Sequence, residues 1–263
     1  MMEGFMGDHL LQEFTYDHLN VEIYQDNETM GKAAAEAAAE CIHEAVARCG
    51  VANIILATGN SQLSTFYALS KIKDIPWFAV NIFHMDEYLN LTPGHPAGFA
   101  SFLQQHLLKH IDGGTFYPVP GQSGNVDAAI RGYELLLQAH PVDLCCLGIG
   151  ENGHIAFNEP SATDFDDPVW VKRIALREAS RRQQVGEGHF DSLDDVPTHA
   201  ITLTIPALRS AKAMLCIVPE ERKAQAVHAA LLGPISTTCP ASILRQTPHA
   251  RLFLDRDSAQ LIT

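Results

Sequence analysis

The stretch Val142-Asp-Leu-Cys-Cys-Leu147-Gly148-Ile-Gly-Glu-Asn-Gly-His154-Ile-Ala-Phe-Asn-Glu-Pro160 joins a short apolar run to a glycine-rich turn carrying a histidine and a carboxylate. The run is too short for a helix and reads as a buried strand, so the turn should emerge at its carboxyl end, where open α/β sheets place their ligands. His154 and Glu159, five residues apart on a non-helical segment, are candidates for an acid/base pair. Gly148, Gly150 and Gly153 match a bare G-x-G-x-x-G, but Asn158-Glu-Pro160 interrupts the helix that dinucleotide binding requires. A glycine-rich turn after a strand is common, and local physics alone leaves a catalytic and a structural role evenly matched. The crowding of Asn152, His154, Asn158 and Glu159 favours function, since a structural loop has no need of it.

Outward from this stretch the chain alternates. Asn20 to Tyr24, Asn53 to Ala57, Trp77 to Phe83, Val142 to Leu147, Val169 to Leu176, His199 to Thr204, Met214 to Val218 and Ala250 to Leu254 read as strands. Thr29 to Arg48 with a glycine stop at Gly50, Leu63 to Ile72, Ser101 to His110, Val126 to His140 and Glu221 to Leu232 read as helices. This order implies a three-layer α/β architecture, a mostly parallel sheet with helices on both faces. Met1 to Tyr16 lack periodicity and are expected to be partly mobile. Glu159 to Pro168 and Arg181 to Pro197 are the longest irregular segments, and loops of that length beside a site act as lids.

The chain has 263 residues, 46% of them hydrophobic, and no composition shift divides it, so one domain over residues 1–263 is expected. Its 31 acidic and 18 basic residues give a formal charge of −13, which argues against nucleic-acid or anionic-membrane partners. An anionic ligand must then be held by a local site against the global field. Such a surface is compatible with a monomer or a homo-oligomer. Six cysteines without C-x-x-C spacing, no signal peptide and no long apolar stretch point to a reduced, cytoplasmic protein. Thirteen histidines are scattered without metal-type spacing, so neither metal nor organic cofactor is expected.

The run Gly150 to Pro160 resembles the signature of the glucosamine-6-phosphate deaminases, also called isomerases. Met85-Asp86-Glu87-Tyr88, Ala57-Thr58-Gly59-Asn60-Ser61 and Pro219-Glu-Glu-Arg-Lys223-Ala are similar to further family landmarks and occur in family order. The resemblance implies a Rossmann-like fold of the deaminase/isomerase type. It also implies conversion of glucosamine 6-phosphate to fructose 6-phosphate and ammonia, with an amino-sugar phosphate as the small-molecule partner. By the same resemblance Asp86 carries a proton between sugar carbons 1 and 2. His154 opens the pyranose ring, and Glu159 orients the imidazole and favours its protonated form. Asn152 stands where some members have Asp. An amide cannot ionise, so the relay is expected to rest on His154 and Glu159 alone. Thr58, Gly59, Asn60, Ser61, Arg181 and Lys223 match the phosphate-binding set, although Arg182 competes with Arg181 for that place.

Three alternatives stand beside this reading. The 6-phosphogluconolactonases share the fold and a similar glycine-histidine segment, but typically continue it into Ser-Leu-Phe-Pro and have Asp-Glu-Arg where this chain has Asp86-Glu87-Tyr88. Galactosamine-6-phosphate deaminases differ in one hydroxyl that no motif encodes. A sugar-phosphate-sensing module would not need Asp86, His154 and Glu159 together. Asp86 and Glu87, adjacent on an extended segment, point to opposite sides, so at most one faces a substrate.

Overall fold

The computed structural model describes residues 10–160, 162–186 and 188–263. Its strands are β1 (Leu10–Tyr16), β2 (Leu19–Tyr24), β3 (Ala52–Leu56), β4 (Val80–His84), β5 (Asp86–Tyr88), β6 (Thr115–Tyr117), β7 (Leu144–Leu147), β8 (Val171–Ala175), β9 (His199–Leu203), β10 (Ala213–Val218) and β11 (Ala250–Asp255). Its helices are α1 (Asn27–Cys49), α2 (Leu63–Leu69), α3 (Phe99–His106), α4 (Val126–Ala139), α5 (Glu178–Gly186), α6 (Ile205–Arg209), α7 (Ala224–Leu232) and α8 (Arg256–Ala259). Helix α1 starts in a capping box, with the Asp26 carboxylate accepting the Thr29 amide N–H at 2.8 Å, and stops at Gly50 with φ 78°. That left-handed conformation favours glycine, which is why the stop was legible.

Eight strands form the main sheet in the order β1-β2-β11-β10-β7-β3-β4-β6, parallel throughout except for the β1–β2 pair. Strand β7 shows how the layers arise. Cys145 and Leu147 enter one core with Tyr133 and Leu137 of α4 and Val227 of α7, while Leu144 and Cys146 enter the other with Ala38 and Ile42 of α1 and Phe66 of α2. Both faces of the strand are buried, so its sequence is a continuous apolar run instead of an alternating one. Each buried Leu or Ile contributes about 1.5–3 kcal/mol relative to exposure. Burial pushes the thiols of Cys145, Cys146 and Cys216 up, and they pack as small hydrophobes.

From β3 the chain builds outward through β4 and β6, then returns to the other side of β3 as β7. The crossovers from β3 and β7 therefore diverge, opening a crevice beyond their carboxyl ends. The turns 57–62 and 148–160 flank it.

Several elements differ from the expectation. Val171–Ala175 and His199–Leu203 leave the parallel sheet and form an antiparallel one in the order β5-β9-β8. Strand β8 has Lys172 half-buried and Arg173 exposed, charges that a doubly covered sheet cannot accept. Residues 10–16 of the N-terminal segment form edge strand β1, whose mostly exposed pattern hid it; the rest of that segment lies outside the described residues. Arg181–Gly186, expected to be irregular, belongs to α5. Trp77–Ala79 is a 3-10 turn ahead of β4, held by the Ala79 amide N–H on the Pro76 carbonyl. Among the described residues, no helix is long and apolar enough to cross a membrane.

Candidate active site

The crevice deepens into a cavity of about 210 Å³ lined by Thr58, Gly59, Asn60, Ser61, Asp86, His154, Glu159, Arg181 and Lys223. These residues come from five separate segments of the chain. Asn152, the remaining sequence candidate, bonds to two of the lining side chains instead of lining the cavity itself.

Asp86 and Glu87 separate as their alternation requires. The Glu87 carboxylate turns away and accepts the amide N–H groups of Tyr88 (2.9 Å), Phe99 (3.1 Å) and Ala100 (2.9 Å), capping the start of α3. Burial raises its pKa and those three donors pull it back. Asp86 is equally buried, yet its carboxyl accepts no hydrogen bond from any described residue. Burial, and then the charge on Glu87, hold its pKa well above the ordinary carboxylate range. A lining carboxyl without a protein donor is available to a ligand; one held by three donors is not.

The histidine is positioned differently from the expected pair. His154 Nδ1 lies 3.6 Å from Glu159 Oε1, beyond hydrogen-bond reach, and 2.7 Å from Asn152 Oδ1. The Asn152 amide in turn donates to Glu159 Oε2 at 2.6 Å. Asn152 thus stands between the imidazole and the carboxylate, bonded to both. Ser180 of α5 donates to Glu159 Oε1 at 3.1 Å, tying that helix to the carboxylate. The imidazole ring lies flat over Gly150, where an added Cβ would fall 2.1–2.4 Å from the ring atoms. Only glycine admits the ring there. Desolvation lowers the His154 pKa, opposed by Glu159 and Glu151 and reinforced by Lys223. The Glu159 carboxylate pushes the imidazole towards its charged form and burial pushes it the other way, with a net downward shift.

On the opposite wall, residues 58–61 form the turn between β3 and α2, with Gly59 at φ 98° and the Gln62 amide N–H on the Gly59 carbonyl at 3.0 Å. Lys223, otherwise readable as a surface charge, is buried at the end of the turn Glu221–Lys223. The preceding Glu220 holds a positive φ of 81°, its amide N–H shared between both Asp255 carboxylate oxygens at 3.2 and 3.0 Å. Arg181 lines the cavity, with Nε and Nη2 donating to the carbonyls of Val196 and Leu193. Its neighbour Arg182 is exposed, pairs with Glu178 and does not line the cavity.

Sequence inspection missed Gln62, Ser180, Gln184 and Arg222, all of which line the cavity. Gln62 is fully buried, with Nε2 donating to the Leu147 carbonyl at 3.4 Å, and it joins the two turns. Gln184 accepts the Tyr88 hydroxyl proton at 3.1 Å, and Arg222 donates to Glu151 at 3.1 Å. Ser180 and Gln184 share a helix with Arg181, and a helical assignment there would have exposed the i, i+4 relation. Gln62 carried no such signal. Among the described residues, no three His, Cys, Asp or Glu side chains gather to hold a metal.

Residues 25–253 match the model of the family described as glucosamine-6-phosphate isomerases/6-phosphogluconolactonase. The chain belongs to this family. It is 38% identical over 208 residues to a glucosamine-6-phosphate deaminase of Exiguobacterium sibiricum, covering 79% of this chain and 80% of the relative. It is 35% identical over 227 residues to one of Bacillus cereus, covering 86% and 84%. Among solved structures of glucosamine-6-phosphate isomerase/6-phosphogluconolactonase type, a monomeric glucosamine-6-phosphate deaminase superposes with a TM-score of 0.84 at 30% identity, covering 92% of this chain and 99% of that one. A 6-phosphogluconolactonase from Plasmodium vivax gives a TM-score of 0.75 at 15% identity over 95% of each chain, a likeness of fold alone.

Proposed function

We propose that the protein deaminates and isomerises glucosamine 6-phosphate to fructose 6-phosphate and ammonia, using its own side chains. The observation that carries this reading is Asp86, a buried carboxyl at the cavity wall with no protein donor among the described residues, facing the same space as His154 and Lys223. The C–N bond at carbon 2 cannot break until that carbon becomes an imine carbon. His154 Nε2 takes the anomeric hydroxyl proton and returns it to the ring oxygen, giving the open-chain aldehyde. Asp86 then removes the carbon-2 proton and delivers it to carbon 1, while the substrate's ammonium group gives one of its protons to the carbon-1 oxygen, and water adds to the resulting carbon-2 iminium as ammonia departs. A buried carboxylate is a stronger base than a solvated one, because its charged form lacks water.

Lys223, Arg181 and the turn 58–61 hold the phosphate. The deaminases named above, at 35–38% identity over most of the chain, support the amino-sugar substrate over a lactone. A lactonase needs no base for a carbon acid. We place the reaction in the cytoplasm and within a single domain, in keeping with six cysteines free of disulfides. Coupled ammonia release should be robust with glucosamine 6-phosphate, and weak with glucosamine and the galacto epimer. Lactonase activity without ammonia release would overturn the proposal.

A further inference from the structure

Asn152 sits between two partners of opposite kind, which dictate how its amide must face. Its Nδ2 lies 2.6 Å from the Glu159 carboxylate, which accepts only, and its Oδ1 lies 3.1 Å from the His154 backbone N–H, which donates only. Reversing the amide would set oxygen against oxygen on one side and N–H against N–H on the other. The orientation is therefore fixed by chemistry. The same Oδ1 lies 2.7 Å from His154 Nδ1, and an amide oxygen can only accept, so Nδ1 must carry a hydrogen.

We infer that Asn152 is a positioning residue that locks the uncharged form of His154 in its Nδ1–H tautomer, leaving Nε2 as the basic nitrogen offered to the substrate. The inference rests on the ring-opening role proposed for His154, but the tautomer itself does not. Gly150 supports the lock: the ring rests on its α-carbon, and any side chain there would displace it. Nε2 bonds to no described residue, so its lone pair is unspent. The charged groups acting on the ring are Glu159 and Glu151 from its own loop and Lys223 from the turn before α7; Glu151 is itself paired with Arg222.

An aspartate at 152 would behave differently. It would also accept from Nδ1, but would bring a second carboxylate to within about the present 2.6 Å of Glu159. Two carboxylates that close cannot both ionise freely, and a shared proton would make the histidine titrate with the pair. The amide supplies the same acceptor without a charge, so the lock holds across a wider pH range.

The test reads the tautomer directly. Long-range 15N–1H correlation spectra of histidine-labelled protein, without substrate at pH 7, should show His154 with a pyrrole-like Nδ1 and a pyridine-like Nε2. The reverse tautomer, or an averaged pair of shifts, would overturn the proposal. Asn152→Leu should average the shifts and lower kcat at least about 10²-fold with little change in KM. Asn152→Asp should keep Nδ1 protonated and recover kcat at alkaline pH, with its acid limb moved to higher pH. An Asn152→Asp profile superimposable on the wild type would contradict the role of the neutral amide. Correct tautomers with no ammonia release by the wild type would instead refute the proposed function and leave the lock intact. The wild-type spectrum decides the tautomer even if the leucine variant does not fold.

Discussion

Asp143 and Asp86 are both 6% exposed, and they stand at opposite ends of the parallel sheet. Asp143 precedes β7 at the amino ends of the strands. Its Oδ1 accepts Arg48 Nη2 at 2.6 Å and Lys212 Nζ at 2.9 Å, while Oδ2 accepts the Asn53 amide N–H at 3.0 Å. These bonds staple the end of α1, the start of β3 and the approach to β10. Asp86 follows β4 at the carboxyl ends and has no such partner among the described residues. A buried carboxylate given every donor it can use is structure. One given none is a standing cost that persists where a ligand or a reacting proton supplies what the protein withholds.

The sharpest way to break this contrast is kinetic. Asp86→Asn should lower kcat by about 10²–10⁴-fold, the range of a lost general base, while a sugar-phosphate inhibitor binds nearly as before. Asp143→Asn, assayed well below its melting temperature, should leave kcat within about twofold of the wild type, the order expected where only distant packing changes. Comparable losses in the two variants would erase the distinction between the ends of the sheet.

The carboxyl end should also be intolerant of small displacements. Gly150→Ala puts a methyl group where the His154 ring lies, and a shift near 1 Å costs about 10²-fold in rate. Steady-state kinetics beside circular dichroism would separate that loss from unfolding. Full activity in a folded Gly150→Ala protein would show that the ring position is not needed. Lys223→Ala should act on binding instead, raising KM by roughly 10- to 100-fold through loss of a charge-assisted contact of about 1.5–3 kcal/mol. An unchanged KM would leave the turn 58–61 and Arg181 as the anchor.

Much of this was legible because the informative residues lie on strand ends. The apolar run 142–147 announced a doubly buried strand, and the glycines after it announced a close approach, which Gly150 makes with the His154 ring. The adjacency of Asp86 and Glu87 forced one to face away, and Glu87 does so at the α3 cap. What stayed hidden depended on long-range partners. Strands β8 and β9 read as members of one alternating series, because local pattern does not say which sheet a strand joins. Gln62 bonds to a carbonyl 85 residues away, and nothing in its neighbourhood marks it. The role of Asn152 was discounted because an amide cannot ionise. Its value lies in direction, which residue type alone does not carry.

The most direct test of the contrast is equilibrium stability. The raised pKa of Asp86 means that the folded state holds its proton more tightly than the unfolded chain does. Stability is therefore lost as pH rises from the ordinary aspartate value of about 3.9 through the folded pKa, and stays lost above it. Denaturant unfolding at pH 7 should find Asp86→Asn more stable than the wild type by about 0.5–2 kcal/mol, an advantage that vanishes below about pH 3.9. Asp143→Asn should be less stable by about 1.5–3 kcal/mol under the same conditions. If Asp86→Asn proved destabilised like Asp143→Asn, Asp86 would be a satisfied structural carboxylate, and the proposed division between the two ends of the sheet would be wrong.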